Sequence, residues 1–152
     1  WARGQAWGIY GFALVFSAIK DELFLESFHK IADYFIKHLP KDNVPYWDLA
    51  FQEGDEERDS SSASIAICGF LEVLKHIDDK EQIDKYRQVI EKMLTSLINN
   101  YNTFDNEKAN GLLLHGVYSK PGNMGVDEMV IWGDYFFFEA LVRLSKDWKK
   151  YW

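Results

Sequence analysis

Three short stretches of the chain carry side chains able to do chemistry. WARGQAW places Trp1, Arg3, Gln5 and Trp7 in one tight segment. An Arg can hold a carboxylate through two parallel hydrogen bonds. A Trp face can stack on a pyranose ring, and a Gln offers both a donor and an acceptor. Those residue types suit a carboxylated sugar. They equally suit a helix start in which an Arg braces nearby carbonyls and two Trp fill a core. The second stretch, RDSSSAS, runs from Arg58 to Ser64. Asp59 or Ser60 is a natural N-cap there; Asp59 as a catalytic acid requires a carboxyl pKa raised toward neutrality. The third, WGDYFFFEAL, sets Asp134 and Glu139 among aromatics. Each is either a proton donor or a hydrogen-bond anchor, and buried carboxylates usually have a partner. For Asp134 the bland expectation is a cap, or a brace on Arg3 or on another helix.

Other chemistries find little support. His29, His38, His76 and His115 are scattered, with no HxH or HExxH grouping, so the pattern supports no metal site. Neither a G-x-S-x-G elbow nor a phosphate loop occurs, and Gly122 to Gly125 (GNMG) reads as a turn. Cys68 is the only cysteine and lies in the apolar run Ile65 to Leu71, which makes it a small buried hydrophobe.

Five helical stretches must position these residues. Helices are expected over about residues 5–19, 22–39, 59–76, 80–101 and 130–145. The first, third and fifth are apolar on every side, the mark of a helix buried all round. In the second, Leu25, Phe28, Ile31, Ala32, Phe35, Ile36 and Leu39 form one apolar stripe, and Pro40 stops the helix. The fourth has a similar stripe through Ile83, Tyr86, Ile90, Met93, Leu94, Leu97 and Ile98. Inner and outer helices therefore alternate, which implies two concentric layers. In such a layer the inner helices point one way and gather their N-termini at one end. Arg3, Trp7, Arg58, Asp59, Trp132 and Asp134 fall at that end, where helix dipoles favour anions. Two long connections remain. Residues 41–58 include VPYWDLAF, expected extended and packed on the helices; residues 102–127 include GLLLHGVY between turn signals, expected as a short strand pair.

Composition bounds the function classes. The chain has 152 residues, enough for one domain or a piece of a larger one. With 47% hydrophobic residues it can bury a core. A net charge of −7 without a basic stripe argues against nucleic acid. Lys146 to Lys150 reads as a solvated helix end. Aromatics reach 16%, which serves sugar stacking and core packing alike. No signal peptide or transmembrane run is visible, so no membrane partner is expected. The chain begins at Trp1 rather than Met. Its beginning is therefore expected to lie inside a longer protein, and the compartment, bacterial cytoplasm or periplasm, stays open.

WARGQAWGIYGFAL, YWD at Tyr46 to Asp48, RDSSSASIAICGFLE and IWGDYFFFEALVRL, in this order, closely resemble the C-terminal portion of unsaturated glucuronyl hydrolases, glycoside hydrolase family 88. The resemblance runs from Trp1 to the terminal Tyr151–Trp152. It implies an all-α fold, an (α/α)6 barrel of helical hairpins of which this chain is roughly the last five helices. Residues 1–152 would be the C-terminal part of a single barrel domain. It also implies an activity: hydration of the C4=C5 double bond of the unsaturated uronic acid that polysaccharide lyases leave at a non-reducing end. A protonated Asp donates to C4, water adds at C5, and the hemiketal opens to release the next sugar. No metal or organic cofactor is implied, and the partner is an unsaturated oligosaccharide of glycosaminoglycan type.

By the same resemblance, Arg3 and Trp7 match an Arg and a Trp at the substrate pocket. Tyr118 matches a Tyr near the substrate, and Trp1 belongs to the motif of Arg3. The family's two essential Asp residues, with a His and a Gln contact, lie upstream of WARGQAW. No catalytic residue is therefore expected among these 152, and the chain alone is expected to be inactive. Asp59 and Asp134 match positions other than the catalytic pair. Two alternatives stand beside this reading: the sister family acting on unsaturated rhamnogalacturonan fragments, and a non-catalytic sugar-binding remnant. A partial barrel would leave inner helices uncovered, so self-association is expected of the isolated chain.

Overall fold

The two outer helices form for reasons local to their sequence. In a computed structural model of the chain, which describes residues 1–149, helix α2 spans Glu22–Lys37 and α4 spans Lys80–Asn100. Each starts on an aspartate that caps it: Asp21 accepts from the Leu23 N–H, and Asp79 accepts from the Gln82 N–H. Each buries one stripe. Phe28, Ala32 and Phe35 of α2 are fully buried, as are Tyr86, Met93 and Leu97 of α4. Burying a Phe or Leu side chain stabilises by roughly 2–3 kcal/mol, so the stripes, not helix propensity, hold these helices in place. Pro40 follows the end of α2 within three residues, where the chain can no longer continue as helix.

The inner helices are α1 (Ala2–Ile19), α3 (Ser60–Val73) and α5 (Ile131–Ser145). They lie side by side with α3 in the middle, α2 covering α1 and α4 covering α3. All three run the same way. Arg3 meets Asp59 at one end and Lys20 meets His76 at the other; likewise Trp132 meets Ser61, and Arg143 meets Glu72. Close approach of α1 and α3 depends on Gly69, since a Cβ there would sit 2.8 Å from the Tyr10 nitrogen and from Ile9 Cγ2. Cys68 is buried as expected, and its thiol donates to the Phe136 carbonyl at 3.3 Å.

Burial all round holds only for α3, whose residues 60–70 are all buried. Within this chain α1 leaves Trp7, Val15 and Ile19 exposed, and α5 leaves Ile131, Tyr135 and Phe138 exposed. The cause is position. The middle helix has neighbours on both sides, whereas the flanking helices each lack one.

The connection between α4 and α5 is not a strand pair. It is irregular backbone held by isolated antiparallel bridges, Asn102 to Leu113, Gly116 to Glu128 and Ser119 to Met124. In the 41–58 connection a single bridge joins Tyr46 to Arg58. Helix α5 ends on Lys146 as its C-cap, and the mostly exposed Lys146 to Lys149 stretch runs on from that end without helix; Trp148 there packs over the Arg143 guanidinium. Lys150 and the Tyr151–Trp152 end lie outside the described residues. Among the described residues no helix is long and apolar enough to cross a membrane.

Candidate substrate-binding site

The outer helices begin with side-chain caps, but the inner three begin without them. Side chains from the first turn or so of the inner helices instead reach outward to the α4–α5 connection. From α1, Arg3 donates to the carbonyls of Val117 and Tyr118 (the latter at 2.7 Å). At α3, the Ser60 hydroxyl donates to the Leu114 carbonyl at 2.7 Å, and the Ser60 N–H donates to the His115 carbonyl at 3.0 Å. From α5, Asp134 accepts from the Leu112 and Leu113 N–H groups at 2.9 and 3.0 Å. The connection is thus fastened to all three inner helices at one end of the layer.

A cleft of about 420 Å³ opens there, lined by Trp1, Arg3, Trp47, Tyr118, Lys120 and Met124 among others. Arg3 forms its floor. Only 5% exposed, its guanidinium lies between the rings of Trp1 and Trp132, at 4.9 and 5.0 Å from their centroids. Tyr118 is half exposed and leans on Trp132, 5.8 Å away. Lys120 pairs with Glu57, and the Trp47 Nε1–H donates to Glu56. Among the described residues that line the cleft there is no carboxyl group. Aromatic faces and cationic donors equip it to hold an anionic sugar, and its described walls carry no carboxylic acid.

Asp59 lies behind Arg3 and is wholly buried. It occupies the N-cap position of α3, as its residue type suggests, but without the usual side-chain cap hydrogen bond. Its carboxylate accepts from the Ser61 hydroxyl at 2.5 Å, and from the Val117 N–H and Arg3 at 3.5 Å each. Burial pushes this carboxyl above its ordinary value, while the Ser61 hydroxyl and then the Arg3 charge pull the other way. Burial likewise lowers Arg3, although a guanidinium stays charged throughout.

The other singled-out residues have structural employment. Asp134 braces the Leu112–Leu113 backbone rather than Arg3 or another helix. Glu139 accepts from the Tyr10 hydroxyl and from Arg143 Nε. Arg58 stacks on Tyr46, donates to the Val44 carbonyl and pairs with Asp42. Trp7 sits one helical turn beyond Arg3, edge-on to Phe136 at 5.0 Å, outside the cleft lining. Sequence reading missed Trp47 and Lys120 as walls. Trp47 stood in the quoted YWD motif, which was the signal available. A wider groove of about 550 Å³ on the outer face, between α4 and Asp42, has polar walls and no aromatic. None of its lining residues is shared with the cleft. Among the described residues no group of three or more His, Cys, Asp or Glu is placed to hold a metal.

No protein-family model matches the chain. Known proteins do match along its whole length. The unsaturated chondroitin disaccharide hydrolase of Streptococcus pneumoniae is 47% identical over 100% of the chain, and the chain spans 39% of that relative. The solved unsaturated glucuronyl hydrolase of Streptococcus agalactiae, determined in complex with dGlcA-GalNAc6S, is 45% identical; it aligns over 100% of this chain and 41% of its own, with a TM-score of 0.95. The Bacillus sp. GL1 unsaturated glucuronyl hydrolase, described as responsible for the degradation of glycosaminoglycan, aligns at TM-score 0.91 and 38% identity, over 96% of this chain and 39% of its own. The chain therefore spans about two fifths of the length of these relatives, and its five helices are an arc of their (α/α)6 barrel.

Proposed function

The chain belongs to the unsaturated glucuronyl hydrolases, and from that premise we propose that the whole protein hydrates the C4=C5 double bond of the unsaturated uronic acid at the non-reducing end of lyase-generated glycosaminoglycan fragments, releasing the next sugar. The observation that carries the proposal is the cleft floored by Arg3, with Trp1, Trp47 and Tyr118 on its walls. Three of the five N–H donors of the Arg3 guanidinium are used by Val117, Tyr118 and Asp59. The others are left for a uronate carboxylate, with aromatic faces beside it for the sugar ring.

This arc supplies binding and orientation. Trp1, Arg3 and Tyr118 contact the substrate, and Trp7 faces it from the next turn of α1. The proton donor, an Asp, comes from the part of the barrel outside these residues. Among the described residues the cleft lining holds no carboxylic acid, and Asp59 is sealed behind Arg3. Residues 1–152 then form part of one barrel domain. The uncovered faces of α1 (Val15, Ile19) and α5 (Ile131, Tyr135, Phe138) are where the neighbouring inner helices pack.

The test mixes the full-length protein with an unsaturated chondroitin or hyaluronan disaccharide and follows loss of the alkene's ultraviolet absorbance. Turnover is expected, with kcat/KM falling about a hundredfold or more in Arg3→Ala. Turnover of a rhamnogalacturonan fragment instead would move the protein to the sister family. Binding without turnover of either would make it a sugar-binding remnant.

A further inference from the structure

Asp59 has been given no part in the function so far, yet its contacts form a closed circuit with the walls of the cleft. Its carboxylate accepts from the Ser61 hydroxyl. The Ser61 oxygen in turn accepts from the Trp132 Nε1–H at 3.2 Å. The ring of Trp132 lies 5.0 Å from the Arg3 guanidinium and 5.8 Å from the ring of Tyr118. Arg3 holds the carbonyls of Val117 and Tyr118 and closes the circuit on Asp59, which also receives the Val117 N–H. These links tie the start of α3 to residues of the cleft and to their immediate support. With no exposed surface, Asp59 cannot itself touch a ligand.

We propose that Asp59 is a positioning residue for substrate binding, fixing the direction of the Arg3 guanidinium directly and the ring of Tyr118 through Ser61 and Trp132. This rests on the hydrolase reading above and deepens it. The charge of Asp59 matters because Arg3 has two kinds of acceptor. The carbonyls of Val117 and Tyr118 pull it toward the connection, and the carboxylate anchors it to α3. Without the anchor the guanidinium follows the connection, and its remaining donors no longer meet the substrate carboxylate. A misplacement of about 1 Å in such a clamp can cost on the order of a hundredfold in rate.

The experiment compares the full-length wild type, Asp59→Asn and Trp132→Phe on an unsaturated disaccharide across pH. Asp59→Asn keeps the shape and removes the charge; it is expected to raise KM about tenfold or more with a smaller change in kcat, leaving both limbs of the pH profile in place. Trp132→Phe keeps a ring against Arg3 and removes only the N–H to Ser61, so about a threefold rise in KM is expected. It also carries the test if Asp59→Asn fails to fold. Unchanged KM in a folded Asp59→Asn, or in Trp132→Phe where the former does not fold, overturns the proposal. So does a fall in kcat with a displaced pH limb at unchanged KM, which would make Asp59 a proton-transfer group. An inactive wild type overturns the hydrolase reading first, and the proposal with it.

Discussion

The inner helices carry a buried arginine with carboxylate partners at both ends, and the two clusters are built to different purposes. At the C-terminal end Arg143 donates from Nη1 to Glu72 and from Nε to Glu139, both at 2.7 Å. Tyr10 donates to the same Glu139, and Trp148 covers the guanidinium face at 3.5 Å. All three charged side chains are nearly inaccessible. At the N-terminal end Arg3 meets Asp59 at only 3.5 Å and spends its shorter bonds on backbone carbonyls of a connection. Each guanidinium has three of its five donors in hydrogen bonds, but one is sealed between two carboxylates and Trp148, while the other lies beside an open cleft. The difference teaches that a buried arginine on an inner helix is not by itself a sign of a site. What marks a site is a guanidinium that lines an open cleft next to accessible aromatic faces.

That contrast can be broken by substitution. Arg143→Met leaves Glu139 buried without its cation and Glu72 with Lys75 and His76 still beside it, a loss of about 3 kcal/mol. It should appear as a large drop in the urea midpoint of the full-length protein, with the KM of the folded fraction unchanged. An unaltered midpoint would show that the C-terminal cluster is not the structural one. Acid separates the two ends next. Burial would raise the Glu72 carboxyl, but hydrogen bonds from Arg143 and Ser17 and the nearby Lys75 outweigh it and hold it at about 2, against 4.5 when free. A depressed carboxyl contributes stability that is complete above its unfolded value. That stability is lost as pH falls from about 4.5 toward 2, a few kcal/mol in all. Asp59 is shifted the other way, so its titration favours the folded form as acid is added. The wild-type urea midpoint should therefore fall through that window, and Arg143→Met should flatten the fall. A slope unchanged by the substitution would place the acid sensitivity elsewhere.

Much of this was legible in the sequence, and the rest was hidden for identifiable reasons. The stripes from Leu25 to Leu39 and from Ile83 to Ile98 announced α2 and α4 because an outer helix writes its one neighbour into its periodicity. The apolar runs of α1, α3 and α5 announced inner helices. They could not show that Tyr135 and Phe138 would stand uncovered in this chain, since composition records a burial partner without saying which chain segment supplies it. GLLLHGVY looked strand-like, but its backbone groups are divided between Asp134, Ser60 and Arg3 and short pairings with Tyr101, Thr103, Gly125 and Glu128, so no continuous strand forms. The same claims explain Asp134 and Asp59. A carboxylate near a helix start reads as a cap, whereas partners about 20 and 60 residues away in sequence leave no local trace. Lys120 and Met124 joined the cleft through that same folded-back connection, without a periodic signal of their own.

The most direct test of the central claim, that the N-terminal end of the inner helices is the substrate wall, is the KM of Tyr118→Ala in the full-length protein on an unsaturated glycosaminoglycan disaccharide. Tyr118 is half exposed, and its side chain is not part of the core. Stability should therefore stay within about 0.5 kcal/mol of wild type, while KM rises about tenfold from loss of a stacking surface. Unchanged kinetics in a protein of unchanged stability would contradict the account and send the search for the substrate to another face of the barrel.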